Sequence, residues 1–156
     1  MIPNWIRSWW PAALMAILIS LLSTDSFSAE HTGSALEAAL NWLGVHLSSD
    51  QFDSIHHIIR KSAHFTEYFI FYLTLYRGIR AMRTGWHWSW AISAWFIAAV
   101  YSALDEIHQS FVASRTASPL DSLLDSTGAL VAMIVLFVYF RFSRSYKPSA
   151  ADQPLR

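Results

Sequence analysis

Long apolar stretches alternate with short polar ones along this chain, and four of them predict membrane-spanning helices. A helix needs about 20 apolar residues to cross the hydrocarbon core of a bilayer, because it rises only about 1.5 Å per residue. The second and third stretches are short, so we expect polar residues at their ends to extend these helices. The predicted spans cover residues of about 5–23, 64–80, 86–107 and 124–142. The pattern therefore predicts an all-α, polytopic membrane protein with a four-helix transmembrane bundle.

A leucine repeat between spans one and two predicts a further, amphipathic helix over Ser34–Leu47. Its leucines recur at i, i+4, i+7 and i+11, at positions Leu36, Leu40, Leu43 and Leu47. Such a helix lies on the membrane or covers the bundle. Asp50 or Asp53 is expected to cap the helix that leads into span two. The Pro-containing end, residues 147–156, predicts a disordered cytoplasmic tail after a transmembrane domain over 1–146.

The first span has an alternative interpretation as a cleaved signal peptide. Arg7 precedes the apolar core, and residues 26–29 resemble a small-residue cleavage site. Two Trp residues and Pro11 at the start of that core are instead typical of a helix anchored at a membrane interface. We expect the first span to be retained.

Composition strengthens the membrane prediction. The chain has 156 residues, of which 54% are hydrophobic and only 14% are charged, unlike an ordinary soluble domain. The formal net charge is zero and no single basic patch is present, which argues against a nucleic-acid partner. The absence of cysteine excludes disulfides, thiolate nucleophiles and cysteine metal sites.

Basic residues between the spans predict the orientation, because cytoplasmic loops are rich in Lys and Arg. These residues precede span one, join spans two and three and follow span four: Arg7, Arg77, Arg80, Arg83, Arg141, Arg144 and Lys147. Both termini are therefore expected in the cytoplasm. Arg60 and Lys61 run against the rule, since they fall on the predicted outer side.

Ionisable and polar residues gather at the predicted outer ends of spans two, three and four. A charged side chain at the centre of a spanning helix costs roughly 2.5–3.5 kcal/mol, so such a cluster must pair, face water or bind something. On the helix entering span two, one face carries His57, Lys61, His64 and Tyr68. An overlapping face carries Arg60, His64 and Glu67. On span three, one face carries Ser102, Asp105 and Gln109. The adjacent face carries Ser102, Glu106 and Gln109. On span four Asp121 and Asp125 lie one turn apart, and Gly128 permits close helix approach.

Several kinds of chemistry fit this cluster. A purely structural network would pair Arg115 with Asp121 or Glu106, and His64 with Glu67 or Asp105. Glu106 and His64 could instead act as an acid/base pair. The spacings His64-x-x-Glu67 and Asp105-x-x-His108 also suit zinc, manganese or magnesium. No nucleophile-elbow pattern supports a serine hydrolase. The remaining histidines are expected to be solvated: His31, His46, His56 and His87.

The same residues resemble the VanZ-like membrane protein family. Its pattern has His-x-x-Glu-Tyr opening a span, then Asp-Glu-x-x-Gln-x-Phe, an Arg, and Asp-x-x-x-(Asn or Asp)-x-x-Gly. The matching residues here are His64, Glu67, Tyr68, Asp105, Glu106, Gln109, Phe111, Arg115, Asp121, Asp125 and Gly128. Ser114 stands where many members have Gly, and Asp125 replaces a common Asn. The resemblance implies a multi-pass protein of the bacterial inner membrane and cell envelope, in a family named for a member linked to glycopeptide (teicoplanin-type) resistance. It supplies no settled reaction.

The first hypothesis is an outward-facing polar site that binds, and in one version processes, a lipid-linked or anionic envelope component. Membrane lipids and a lipid-linked envelope precursor are the expected partners, and the sequence names no cofactor. Lys61 and Arg115 would hold the anionic group. The predicted catalytic residues are His64, Glu67, Asp105 and Glu106. The predicted binding residues are Lys61, Tyr68, Gln109, Arg115, Asp121 and Asp125.

Two alternatives remain open at this point. In one, the protein is a metal-dependent membrane hydrolase or transferase with His64, Glu67, Asp105 and Glu106 as ligands. In the other, it is a noncatalytic structural or partner protein whose segment Ser34–Leu47 docks a neighbour.

Overall fold

A computed structural model describes residues 3–24, 29–112 and 118–143 of the chain. These residues form five α-helices and no strand, which confirms the all-α fold class. The helices are α1 (Asn4–Leu22), α2 (Ala29–Trp42), α3 (Ser49–Arg80), α4 (Trp88–Gln109) and α5 (Pro119–Ser143). Arg115 and the predicted tail over 147–156 lie outside the described residues.

Three of the five described helices, α1, α4 and α5, are long and apolar enough to cross a membrane. They coincide with the predicted first, third and fourth spans. The polar residues at the ends of the predicted third and fourth spans are also helical. The helix α4 continues to Gln109, and α5 begins at Pro119. The expected extension of the short apolar stretches by polar residues is therefore confirmed for α4.

The predicted second span lies within α3, a continuous helix of 32 residues that is not among these three apolar helices. Its Tyr, Thr and ionisable residues lower its hydropathy. The helix nevertheless packs against α1, α4 and α5, and it buries the rings of Tyr68, Phe71, Tyr72 and Tyr76. Because its neighbours cover these side chains, α3 can be central to the bundle without being uniformly apolar.

The segment between α1 and α3 differs from its prediction at both ends. The helix α2 ends at Trp42, so Leu43 and Leu47 of the leucine repeat lie beyond it. Gly44 terminates the helix with a φ of +71°, a conformation that favours glycine. The prediction that Asp50 or Asp53 caps α3 was wrong. Ser48 is the N-cap of α3, because its side chain and that of Gln51 form a reciprocal capping box.

Small residues allow the helices to approach closely. A Cβ added to Gly128 on α5 would lie 2.4 Å from the backbone oxygen of Phe65 on α3, which confirms the expected close approach. A Cβ added to Gly78 on α3 would lie 2.8 Å from the indole of Trp9 on α1. Alanines of α4 and α5 fill the core between these helices, namely Ala91, Ala94, Ala98, Ala129 and Ala132. This small-residue packing is typical of helix bundles in membranes.

Aromatic rings and arginines occupy the end of the bundle where α3 and α5 finish. Trp86 stacks on Tyr76 at 5.4 Å between ring centroids. The guanidinium of Arg80 lies 5.3 Å from the ring centroid of Phe140. Such aromatic and basic groups are typical of the boundary between membrane and water.

Candidate functional site

The opposite end of the bundle carries the polar cluster. Here α4 turns one face inward, with Ser102, Asp105, Glu106 and Gln109 at 0%, 7%, 8% and 4% exposure. This inward face confirms the prediction from their helical spacing. The C-terminal end of α1, the middle of α3 and the start of α5 bring their own polar side chains against it.

Asp105 joins α1 to α4. Its Oδ2 accepts a hydrogen bond from Ser23 Oγ at 2.7 Å and another from Gln109 Nε2 at 2.9 Å. The Gln109 amide also donates to Ser23 Oγ at 3.3 Å. Hydrogen bonds to an ionised carboxylate are among the stronger polar contacts in proteins. The predicted site omitted Ser23, because a single serine after an apolar run carries no signal that it will meet a residue 82 positions later.

Asp125 joins α5 to both α4 and α3. Its Oδ2 accepts a hydrogen bond from Ser102 Oγ at 2.9 Å. Its Oδ1 lies 3.7 Å from Nδ1 of His64 and has no hydrogen-bond partner in the described part of the chain. The distance is too long for a hydrogen bond but close enough for an electrostatic contact. Asp125 is thus a neighbour of His64 that the predicted pairings did not include.

Two further contacts tie the start of α5 to its neighbours. Lys61 on α3 forms an ion pair with Asp121. Glu106 on α4 accepts a hydrogen bond through Oε2 from the backbone N–H of Ser118 at 2.8 Å. Lys61, predicted to hold an external anion, therefore has an internal partner. The predicted pairing of Arg115 with Asp121 or Glu106 stays a prediction.

A cavity of about 120 Å³ opens between α1, α2 and α3. Its lining combines apolar and polar side chains: Leu22, Ser23, Thr32, Arg60, Ala63, His64 and Glu67. Nη1 of Arg60 is buried and has no hydrogen-bond partner among the described residues. Arg60 was not among the predicted site residues. Its signal was present in the sequence, since it shares one helix face with His64 and Glu67.

Tyr68 lies one helical turn beyond His64 and is fully buried. Its ring meets that of Phe71 edge to face, with 6.1 Å between centroids. The structure thus places this predicted binding residue in the core of the bundle, next to the cavity-lining residues of α3. Its predicted role in binding stays a prediction.

Comparison with known protein families identifies a match. A sequence model of the VanZ/LLP1 family matches residues 8–141, which include all of the site residues above. The chain belongs to the VanZ/LLP1 family. None of the curated proteins and none of the solved structures matches the chain.

The site of this VanZ/LLP1 family member does not gather the four residues of the metal hypothesis. Within residues 3–24, 29–112 and 118–143, no group of three or more His, Asp or Glu side chains is placed to hold a metal ion. The reason lies in α4, where consecutive carboxylates diverge. Asp105 accepts a hydrogen bond from Ser23, which follows α1, whereas Glu106 accepts one from Ser118, which precedes α5.

The expectation that His56 is solvated was wrong. This residue of α3 is half-buried, and its Nε2 lies 3.1 Å from Thr32 Oγ1 on α2. Burial, together with the nearby charge of Arg60, lowers the pKa of His56 below its ordinary value of 6.5. His56 thus links α2 to α3 beside the cavity. His31, His46 and His87 are exposed, as expected.

Proposed function

We propose that this VanZ/LLP1 family member crosses the bacterial inner membrane four times, with α3 as the central span. The packing of α3 against α1, α4 and α5 supports this topology, because those helices shield its polar residues from lipid. The arginines at the ends of α3 and α5 support cytoplasmic termini. The polar cluster then lies on the outer side.

We propose that the cavity binds the anionic group of a lipid-linked envelope component. The observation that carries this proposal is Nη1 of Arg60, buried beside the cavity without a hydrogen-bond partner in the described residues. A buried guanidinium nitrogen without a partner is costly, and an anionic ligand would satisfy it. Arginine also matches phosphate and carboxylate geometry with two parallel donors.

The size and place of the cavity favour a small anionic head group. Its volume of about 120 Å³ leaves room for a phosphate group. Its wall includes Leu22 at the end of α1, an apolar spanning helix. A lipid chain attached to the phosphate would therefore remain beside the hydrocarbon of the membrane.

The other polar residues receive distinct roles in this proposal. Arg60 holds the anion, because Lys61 already pairs with Asp121. Asp105 and Gln109 keep the end of α1 against α4 and so maintain one wall of the cavity. Arg115 stays a candidate second anion ligand. A link to glycopeptide resistance remains an association of the family name, to which no residue of this site is assigned.

Binding of a polyprenyl phosphate, compared with the uncharged polyprenol, tests the proposal. The protein is reconstituted in nanodiscs and binding is measured by calorimetry. Arg60→Met should weaken phosphate binding about 10- to 100-fold, since a charge-assisted hydrogen bond contributes about 1.5–3 kcal/mol. Arg60→Lys should lose less. Arg83→Met, in the loop that follows α3, is the matched control. Equal affinity for polyprenyl phosphate and polyprenol, or full affinity in Arg60→Met, would refute the proposal.

A second candidate function is that of a partner-binding protein. The observation that favours it is the exposed apolar surface at the end of α2, where Trp42 is 86% and Leu43 64% exposed. Substituting Leu40 and Leu43 with Gln would then abolish co-purification of a specific neighbour. Glu106→Gln would be tolerated. Retention of every co-purified protein in the double variant would count against this candidate.

A further inference from the structure

His64 lies between a buried carboxylate and the proposed anion-binding cavity. Its Nδ1 lies 3.7 Å from Asp125 Oδ1, and its side chain lines the cavity together with Arg60 and Glu67. Binding of an anion does not by itself require an imidazole beside a buried carboxylate. This arrangement therefore indicates a use for His64 beyond the binding proposed above.

Burial and a hydrogen bond position Asp125 at this contact. It is 1% exposed, and its Oδ2 is fixed by the hydroxyl of Ser102. Gly128, less than one turn further along α5, allows this helix to approach the backbone of Phe65, the neighbour of His64. Oδ1 has no hydrogen-bond partner in the described residues. At 3.7 Å from Nδ1 it lies just beyond hydrogen-bond range, so a shift of about 0.5 Å by the imidazole when a ligand binds would let it accept Nδ1–H.

A carboxylate that accepts Nδ1–H fixes the tautomer of a histidine. The other nitrogen, Nε2, then carries a lone pair and can accept a proton, and the carboxylate stabilises the imidazolium that forms. The arrangement of carboxylate, imidazole and cavity is thus suited to activating a water molecule. A guanidinium on the same side suits a reacting group whose negative charge increases, such as a phosphoryl group.

We infer that the cavity hydrolyses a phosphate ester or diphosphate of a membrane lipid, with His64 as the proton acceptor and Asp125 as its positioning residue. This inference rests on the proposed function, because Arg60 must first hold the phosphoryl group. The oxygen of a water molecule bonds to phosphorus while Nε2 of His64 takes its proton. The bond from phosphorus to the leaving oxygen breaks, and its electron pair stays on that oxygen. The imidazolium then returns the proton to the leaving oxygen, so that atoms and charge balance without an oxidant or a reductant.

Release of inorganic phosphate from defined lipids tests the inference. The full chain in nanodiscs is incubated with a polyprenyl phosphate, a polyprenyl diphosphate and phosphatidic acid. The wild type should release phosphate from at least one of them. His64→Gln should lower kcat about 10²- to 10⁴-fold, the usual contribution of general base catalysis. Ser93→Ala, at an exposed position of α4, should match the wild type.

Asp125→Asn separates positioning from a merely structural role. We expect kcat to fall at least 10-fold with KM unchanged, because the phosphoryl group still binds at Arg60 while His64 loses its orientation. Binding of polyprenyl phosphate by the same preparation reports whether the variant is folded. If Asp125→Asn fails to fold, Ser102→Ala, which removes only the hydroxyl that fixes Oδ2, should show a smaller fall in kcat with KM unchanged.

The outcomes distinguish this inference from the proposed function. Binding of polyprenyl phosphate without phosphate release from any of the three lipids would overturn the hydrolysis and leave the binding function in place. Equal release by His64→Gln would overturn it as well, because the activity would then belong to a contaminant or to another group. Failure to bind polyprenyl phosphate at all would refute both the hydrolysis and the proposed binding function.

Discussion

The contact between α5 and α3 at Gly128 predicts a large effect from a single methyl group. In Gly128→Ala the added Cβ would lie 2.4 Å from the oxygen, 3.2 Å from the carbonyl carbon and 3.3 Å from the Cα of Phe65. All three are backbone atoms, so no change of rotamer can relieve the clash. Because non-bonded heavy atoms prefer separations of about 3.5–4.0 Å, α5 must move away from α3 by roughly 1 Å.

Two opposing terms set the size of the effect. Overpacking of a tight core costs about 1–3 kcal/mol, and backbone on both sides of this contact favours the upper part of that range. Replacing a helical glycine by alanine stabilises the folded state by about 0.5–1 kcal/mol, because the unfolded chain loses conformational freedom. The free energy of unfolding should therefore fall by about 1–2 kcal/mol. For a chain of this size such a loss lowers the melting temperature by about 2–8 °C.

Thermal unfolding in nanodiscs, followed by tryptophan fluorescence, measures this loss. Gly33→Ala is the matched control, because its Cβ would lie 3.4 Å from the nearest atom of the His56 side chain, an ordinary contact. It should melt at or slightly above the wild-type temperature. A melting temperature of Gly128→Ala equal to that of Gly33→Ala would refute the close approach of α5 to α3. Loss of hydrolysis with retained lipid binding in Gly128→Ala would in addition fit a displaced Asp125.

Two further predictions concern the walls of the cavity. Ser23→Ala should lower the free energy of unfolding by about 1.5–3 kcal/mol, because Asp105 loses a charge-assisted hydrogen bond. The control Ser93→Ala should leave it unchanged, and equal melting temperatures of the two variants would contradict the prediction. Acidification should loosen the attachment of α2 to α3. The pKa of His56 is lowered in the folded state, so the unfolded chain binds a proton more readily. The stability that His56 contributes through its contact with Thr32 is therefore complete above about pH 6.5 and decreases below it. The groups acting on His56 are Arg60, Asp53 and His57. Hydrogen exchange of α2 amides should rise from pH 7.5 to 5.5 in the wild type and not in His56→Gln; pH-independent protection would count against this link.

Helical spacing was sufficient to predict which side chains share a face. Ser102, Asp105 and Gln109 recur at i, i+3 and i+7, and all three are buried. Gly128 was likewise predicted as a site of close approach, because glycine in an apolar helix has few other uses. These inferences concern one helix at a time, for which the sequence contains the complete geometric rule.

Partners on different helices could not be predicted in the same way. Lys61 meets Asp121, which is 60 positions away, and Ser23 meets Asp105 across 82 positions. Such pairings depend on how far each helix is rotated and shifted against its neighbour, and helical periodicity does not contain that information. For Arg60 the sequence did show a face shared with His64 and Glu67, but it could not show that Nη1 is buried without a hydrogen-bond partner in the described residues.

The central position of α3 has a consequence for how the protein is made. On the proposed topology, α3 leaves the ribosome before α4 and α5, the helices that later cover Tyr68 and Tyr72. Until then only α1 and α2 can shelter it, and Lys61 lacks its partner Asp121 of α5, which leaves its charge unpaired at considerable cost. Stable insertion of α3 therefore has to wait for the end of translation. A chain truncated before α5 would leave this helix exposed to the proteases that remove unassembled membrane proteins.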